Sequence, residues 1–411
     1  MKSLRLQLKT EEQKSLVNKF SLTSAVFFAG IAGYAYFAFL PKFLESKGFS
    51  DGAILFTMTW MGVGMAFFSW LLGRVSDRTG RRKLLFISAI FAQIIVFLLL
   101  NLSNHIIYHC ILNFVRGSLL GMRMPASNAL FADIVEKENR RKEVSLNLES
   151  VEVSGVQLSL LNAVKSTGWA IGVLGSSIVI GFFGINALVI FLIIATTISL
   201  IFAIPVRDIK KDHAVREESK ITLIPESKRK RDKVKSLLFL TVFFRQFGLI
   251  PFLQILSILI TDTGFSIGEA GFIIALNPIL QIIAMIINGR MIDNPKISEK
   301  LMMAIGFILS ALTLLCYAGG ATTGNILLFI VGQIFLGFGW GCIYTGALKY
   351  IINRAPRDRA FYMGVWITDL QIAKIISYQV FAFLWIIFSY TSVLPFAAIF
   401  PLIGLILVYW L

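Results

Sequence analysis

Six ionisable side chains lie inside stretches that are otherwise apolar: Arg116, Arg123, Lys165, Arg245, Asp369 and Lys374. Their chemistry is ionic rather than catalytic. Five cations and one carboxylate can bind a counter-ion, hold a proton or pair with one another. A charge at the centre of an apolar slab costs about 2.5–3.5 kcal/mol on insertion scales. Six would cost about 15–20 kcal/mol, more than the net stability of a typical protein. They are therefore expected to face water or one another, with structural ion pairs between helices as the alternative for each. The sign balance favours an anion as ligand, because uncompensated positive charge in low dielectric attracts a counter-ion. An organic acid or a phosphate-bearing compound fits that balance better than a lipophilic cation.

Spacing groups these residues. Asn113, Arg116 and Arg123 recur at three and seven, so they share a helix face, as do Asn162 and Lys165. Asp369 and Lys374 are five apart, about 140° around a helix, and make poor partners for each other. Asp369 is expected to meet a cation from another helix, with Lys165 at similar depth as the candidate. It is also the one carboxylate deep in an apolar run and hence the candidate for a coupling proton, although nearby cations would favour its charged form. Tyr34, Tyr36, Gln246, Gln254, Asn277 and Gln281 complete the candidate lining, with helix packing as the alternative role for each. Asn277-Pro278 marks a kink, because proline removes a backbone donor. Gly172, Gly175 and Gly181 suggest close helix approach.

The elements that must hold these residues follow from composition. Of 411 residues, 56% are hydrophobic and 15% charged. Soluble domains carry about 25% charged residues, so most of this surface faces something other than water. Twelve apolar stretches are long enough to cross a bilayer core, which takes about 20 residues. They run near 22–44, 53–73, 83–101, 106–131, 156–180, 186–206, 236–260, 269–290, 300–319, 325–350, 360–388 and 391–411. No twofold alternation occurs, which excludes a β-barrel. The fold class is an all-α membrane protein. With both ends cytoplasmic, 32 of the 39 Lys and Arg residues fall on that side and only Lys42 and Lys47 on the other, as the positive-inside rule requires. The net charge of +16 therefore reports orientation in a cell membrane and implies no nucleic-acid partner. Cys110, Cys316 and Cys342 lie inside apolar runs, too few and too scattered for a disulfide framework or a multi-cysteine metal site. No metal or other cofactor is expected.

An internal repeat divides the chain. Gly48-Phe49-Ser50 precedes span 2 and Gly264-Phe265-Ser266 precedes span 8. Gly73-Arg74-Val75-Ser76-Asp77 follows span 2 and Gly289-Arg290-Met291-Ile292-Asp293 follows span 8. Gly121 matches Gly337. All these pairs share one sequence offset. The expected organisation is a six-helix bundle over 1–206, a polar linker over 207–235 and a second six-helix bundle over 236–411. The two pseudo-symmetric bundles should enclose a central cavity, with a binding site between them near the midplane.

The loop after span 2, Gly73 to Lys83, contains Asp77, Arg78, Gly80, Arg81 and Arg82. Glycines permit a tight turn, the carboxylate suits a helix N-terminus, and the guanidinium groups form forks for a carboxylate. This Gly-x-x-x-Asp-Arg-x-Gly-Arg-Arg pattern resembles the signature of the major facilitator superfamily, and the resemblance extends over the whole chain. It implies a secondary active transporter that works by alternating access, with a lipid bilayer around it. It also implies that the signature loop, with Asp133 near the end of span 4, latches the bundles together on the cytoplasmic side in the outward-open state. The helix capped would start near Arg359. Gly289, Arg290 and Asp293 form a degenerate copy that lacks the Gly-Arg-Arg end and should latch more weakly. Some members carry Arg in span 4 with Gly four residues later; here Gly121 follows Arg116 at five. The expected partners are a small-molecule substrate and a coupling proton, ion or counter-substrate, with the single chain working as a monomer. A proton-coupled multidrug exporter is the alternative within this class. A transporter-like receptor or assembly protein without flux is the alternative outside it. No P-loop, His-rich metal set or Ser-His-Asp arrangement supports an enzyme.

Overall fold

A computed structural model of the chain describes residues 2–79, 81–146, 155–208, 234–292, 294, 296–354 and 359–411. Among them it contains fourteen helices and no strand. The first half comprises α1 (Lys2–Ser46), α2 (Asp51–Thr79), α3 (Arg82–Leu99), α4 (Ile106–Leu146), α5 (Gly155–Phe183) and α6 (Ala187–Ala203). The second comprises α7 (Leu237–Gln254), α8 (Leu256–Asp262), α9 (Ile267–Ile292), α10 (Glu299–Thr323), α11 (Ile326–Arg354), α12 (Arg359–Ile387), α13 (Tyr390–Ala397) and α14 (Ile399–Tyr409). Ten stretches of the described residues are long and apolar enough to cross a membrane. The 17-residue α6 and α4, which carries Arg116 and Arg123, complete twelve crossings. Large apolar side chains such as Phe182, 81% exposed, and Ile386, 78% exposed, lie on the outer surface, as contact with lipid requires.

Two crossings are broken, which the sequence pattern did not foretell. Span 7 is α7 followed by α8, with Ile255 between them at φ −98°, ψ 14°, four residues after Pro251. Span 12 is α13 followed by α14, and Pro395 and Pro401 flank the break. Proline lacks the amide that a continuous helix would use. The break in span 12 also brings backbone close to α7: a Cβ on Gly248 would lie 2.6 Å from the Ala397 carbonyl oxygen.

The repeat reappears as matched packing. α2 packs on α4 as α9 packs on α11, α3 on α4 as α10 on α11, and α1 on α6 as α7 on α14. Gly48 and Gly264 both turn the chain at positive φ, +87° and +97°, where any other residue would be strained. Ser50 and Ser266 follow, and Ser266 forms a capping box with Glu269 at the start of α9. Gly121 approaches Met65 and Ser69 on α2, while Gly337 approaches Leu280 and Gln281 on α9. Of the three glycines expected at close helix approaches, Gly172 meets the backbone of Ile31 and Gly175 meets Phe191. Gly181 has open space around it, so it is no packing contact.

Both termini lie on one face, here the terminal face; the opposite face is distal. The halves meet through α5 against α9 and α2 against α12, with α1 touching α7 and α8. Toward the distal face one apolar core runs through both halves, joining Phe39, Phe43 and Leu55 to Phe252, Ile274 and Tyr378. Toward the terminal face the core splits. Phe86, Phe131 and Val206 belong to one cluster and Met303, Phe307 and Tyr350 to another, one for each half. Among the described residues, the apolar core is thus shared by the halves distally and divided between them at the terminal face.

Polar bonds reinforce the distal seal. Gln254 Nε2 donates to the Phe37 carbonyl at 3.1 Å across the halves, and Tyr378 holds its Oε1 at 2.8 Å. Lys42 lies 2.6 Å from Glu45 and 3.9 Å from Asp262, whose other oxygen accepts from Tyr390 at 2.6 Å. A buried hydrogen bond contributes about 0.5–1.5 kcal/mol. Gln254→Ala should therefore shift the balance about fivefold toward a distally open form. Spin labels on Asn101 and Asn325 would report this as a larger long-distance population. An unchanged distance distribution would show that Gln254 does not hold the seal.

Candidate functional site

Arg116 is the centre of a buried polar cluster in the first half. It is 2% exposed, and α1 to α4 all contribute to its surroundings. Its guanidinium lies over the Tyr36 ring at 3.8 Å and 5.7 Å from the Phe97 centroid. Nη1 points at Met61 Sδ at 3.3 Å. Nε and Nη2 are buried without a hydrogen-bond partner. Tyr36 donates to Asn113 Oδ1 at 2.8 Å, and Asn113 donates to the His109 carbonyl at 3.0 Å. The shared face expected for Asn113, Arg116 and Arg123 is therefore an interior face.

Further cations lie within electrostatic reach. Arg116 acts on Arg123 and on Lys374, and Arg123 acts on Lys165. Arg123 donates to Gln93 Oε1 at 3.2 Å. Lys374 comes from α12, across the join between the halves, and lies over Phe37 at 5.5 Å and Tyr378 at 5.8 Å. Its chain passes beside Gly62, next to Met61. Arg116 and Lys374 thus approach the same turn of α2 from opposite halves.

The expectation that these charges face water needs correction for the three arginines. Arg116, Arg123 and Arg245 are all at most 8% exposed, and none of the five cations meets a carboxylate among the described residues. Ring faces and neutral polar groups surround them instead, because a planar, weakly hydrated guanidinium stacks well on aromatic rings. Lys165 does not pair with Asp369; it donates to Asn128 Oδ1 at 2.8 Å. α5 packs on α1 and α9, while α12 packs on α2 and α7, so equal depth does not bring the two side chains together.

The other expected lining residues are spread out. Tyr34 stacks on Trp169 at 5.2 Å, and Asn277 Nδ2 lies 3.5 Å from its hydroxyl. Both border a cavity of about 20 Å³ with Phe37 and Gln333, enough for one water. Arg245 sits alone in the second half, bonded to Ser310 at 2.7 Å and 5.0 Å from the Trp340 ring. Gln281 is buried where α9 meets Gly337, and Gln246 is half-buried. The side chain of Asn162 lies outside the described residues. Asp369 Oδ2 is buried without a partner, and Asp369 borders a cleft of about 400 Å³ with Ser236, Leu237, Leu240 and Phe243. Gln93, Trp169, Ser310 and Trp340 were missed as candidates. Gln93 was visible as an isolated polar residue in span 3.

At the terminal face, Gly73, Asp77 and Arg78 lie in the last turns of α2, with the side chains of Asp77 and Arg78 outside the described residues, as is Gly80. Arg81 is exposed at the start of α3. Arg82 is ion-paired with Asp133 and also donates to the Ala129 carbonyl at 3.3 Å. This pair ties α3 to α4 within one half. The second half has its counterpart with reversed polarity: Glu299 at the start of α10 pairs with Arg354 at the end of α11, at 2.8 Å. Gly289 has open space around it, Arg290 is exposed, and Asp293 lies outside the described residues. The side chain of Arg359, at the start of α12, also lies outside them.

This architecture is shared with known transporters. The solved POT family transporter PepTSo superposes with a TM-score of 0.73 at 12% identity, covering 96% of this chain and 97% of that one. The nucleoside transporter NupG superposes at 0.71 with 13% identity, covering 95% and 97%. In sequence, the chain is 23% identical over 375 residues to Multidrug resistance protein 2 of Bacillus subtilis (strain 168), covering 89% of this chain and 87% of that one. It is 23% identical over 342 residues to Multidrug resistance protein MdtG of Proteus mirabilis (strain HI4320), covering 80% of each. The Major Facilitator Superfamily description matches residues 22–253 and 236–411. With twelve membrane-crossing helices in two repeated bundles and that match along nearly its whole length, this integral membrane protein belongs to the Major Facilitator Superfamily of transporters.

Proposed function

We propose that the protein is a secondary active transporter of small organic anions, phosphate-bearing compounds included, working as a monomer by alternating access between the bundles 1–206 and 236–411, joined by 207–235. The observation that carries this reading is Arg116: a mid-depth guanidinium with two unpartnered donors, grouped with Arg123, Lys165 and Lys374 and with no carboxylate beside it. A buried uncompensated charge is costly, and an anion bound at Nε and Nη2 would satisfy it. Tyr36 and Asn113 orient Arg116. Tyr34, Asn277 and Lys374 face the same interior from the join between the halves. Arg245 serves as a second cation, and Asn162, Gln246 and Gln281 as peripheral polar groups.

The terminal face is cytoplasmic in this reading, since 32 of 39 basic residues gather there, and the membrane is the cell membrane. The parted terminal side is then an inward-open form. The signature segment Gly73, Asp77, Arg78, Gly80, Arg81 and Arg82, with Asp133, engages when that side closes; Gly289, Arg290 and Asp293 act as a weaker second latch. Asp369 is the candidate for ion coupling. A second reading, proton-coupled multidrug export, draws support from the names of the two relatives and from the unpaired Asp369.

A thermal-shift screen of small organic anions and organic cations against the purified protein tests the first reading, since a ligand stabilises the state it binds. Stabilisation by carboxylates or phosphate esters, with counterflow of the same anion in liposomes, is expected. Stabilisation and exchange of organic cations alone would overturn it.

A further inference from the structure

Two glutamines buried at the join between the halves differ in how their amides are used. Gln254 has both ends bonded, Nε2 to the Phe37 carbonyl and Oε1 to the Tyr378 hydroxyl. Gln333, on α11, is 1% exposed, and its Nε2 and Oε1 are both buried without a partner. A buried donor or acceptor left unpaired costs about 1–3 kcal/mol. Leu253, Leu256, Ile274 and Leu336 border the same cavity as Gln333, so Gln333→Leu would avoid that cost among apolar neighbours. Other polar ends converge there with bonding capacity to spare. Asn277 Nδ2 and the Tyr34 hydroxyl, both at the cavity, are 3.5 Å apart, longer than a good N–H···O bond. Tyr317, packed on Gly332 beside Gln333, has a buried hydroxyl without a partner and lies within electrostatic reach of Tyr34.

We infer that this cavity is a subsite for an uncharged amide edge, a carboxamide or lactam, carried by the transported solute, and that Gln333 is the residue that selects it. The inference deepens the anion reading and takes the solute's charged end from it. The cavity walls carry no formal charge, so an ion placed there would be stranded without a counter-charge. Gln333 needs an acceptor at Nε2 and a donor at Oε1. An amide edge presents a carbonyl and an N–H side by side and satisfies both ends reciprocally. A ketone would leave Oε1 unpaired, and an alkyl group would leave both ends unpaired. In the distally sealed form the cavity of about 20 Å³ admits a single water, which offers the same pair of bonds. The amide edge replaces that water when the solute enters between the bundles. The cations reach the same stretch of α1. Phe37 borders the cavity, and Lys374 lies 5.5 Å from the same ring. Tyr34 borders it two residues before Tyr36, whose ring carries Arg116.

The probes are three carboxylates of one shape: 4-carbamoylbenzoate, 4-acetylbenzoate and 4-isopropylbenzoate. They offer a donor and an acceptor, an acceptor only, and neither. A site built to hydrogen-bond its ligand rejects the analogue that lacks the group. Titration calorimetry on the purified full-length protein should therefore show the carbamoyl compound binding at least about tenfold tighter than the isopropyl compound, with the acetyl compound between them. Gln333→Leu should erase that order, bind the isopropyl compound no more weakly than the parent does, and melt no earlier than the parent. Gln333→Met repeats the measurement with an unbranched chain, so the test does not depend on how one replacement packs. Arg116→Met should weaken all three compounds alike. Equal affinities in the parent would assign the cavity to water alone and overturn the inference, leaving the anion reading in place. An order that survives both Gln333 variants would overturn it as well, and no binding by any of the three would overturn both. An order that persists with affinities unchanged by Arg116→Met would remove the anion reading and keep the amide subsite.

Discussion

Arg116→Met should lower counterflow of the transported anion at least about 100-fold, while the purified protein melts no earlier than the parent. The transport loss follows from two donor nitrogens, Nε and Nη2, that have no partner among the described residues. A hydrogen bond to a charged group is worth about 1.5–3 kcal/mol, so two of them exceed the 2.7 kcal/mol that corresponds to about 100-fold. The stability expectation runs the other way. A buried ion without a counter-charge carries a desolvation penalty of several kcal/mol. Its stacking on Tyr36 returns about 2 kcal/mol when desolvated. Methionine keeps the length and flexibility of the chain and its contact with Met61 and Phe97 without that penalty. Liposome counterflow and a melting curve on the same preparation check both halves. Full transport by the Met variant would remove Arg116 from the substrate site, and an early melt would show that it is structural.

The second large effect is expected at the crossing of α2 and α4. Gly64 and Gly117 face each other there. A Cβ on Gly117 would overlap the Met61 carbonyl, and one on Gly64 would overlap the Phe114 carbonyl and lie 2.9 Å from the Ser118 amide. Backbone, not a flexible side chain, stands in the way on both sides. Overpacking a core costs about 1–3 kcal/mol when side chains can shift and more when they cannot. Gly117→Val should therefore leave little monodisperse protein after purification and lower the melting temperature strongly. Gly117 packs against the Met61 turn of α2 beside which Arg116 and Lys374 are placed, so the surviving fraction should transport poorly. Gly181→Ala is the matched control, since a Cβ there meets nothing within 4 Å. Equal yield and melting of the two variants would disprove the close crossing.

These expectations depend on both what was legible in the chain and what was not. The crossings were legible because a 20-residue apolar run has few other uses. The repeat was legible because Gly48 and Gly264 occupy left-handed turns that only glycine fills easily, and Gly121 and Gly337 occupy matching helix crossings. The broken helices were not. Pro251 and Pro395 lie inside apolar runs, and whether a proline bends or ends a helix depends on neighbours far away in sequence. The partners of the buried charges were hidden for the same reason. Tyr36 reaches Arg116 from α1, and Trp340 reaches Arg245 from α11, and a ring face leaves no mark in a pattern of polar residues. Pairing charges by depth failed for Lys165 and Asp369 because depth fixes one coordinate of three, and α5 and α12 occupy different sides of the bundles.

Four cations inside the membrane spans that meet no carboxylate among the described residues also make the protein an electrical object. A unit charge displaced across the full membrane at 100 mV changes energy by about 2.3 kcal/mol. With Arg116, Arg123, Lys165 and Lys374 unneutralised, the empty form carries its charge inside the field. A bound monovalent anion cancels one unit of it. The loaded and empty forms then respond unequally to voltage: an inside-negative potential pulls the empty form's cations toward the terminal face and acts less on the loaded form. Turnover would depend on membrane potential through the empty return step, even for a cargo whose own passage moves no net charge.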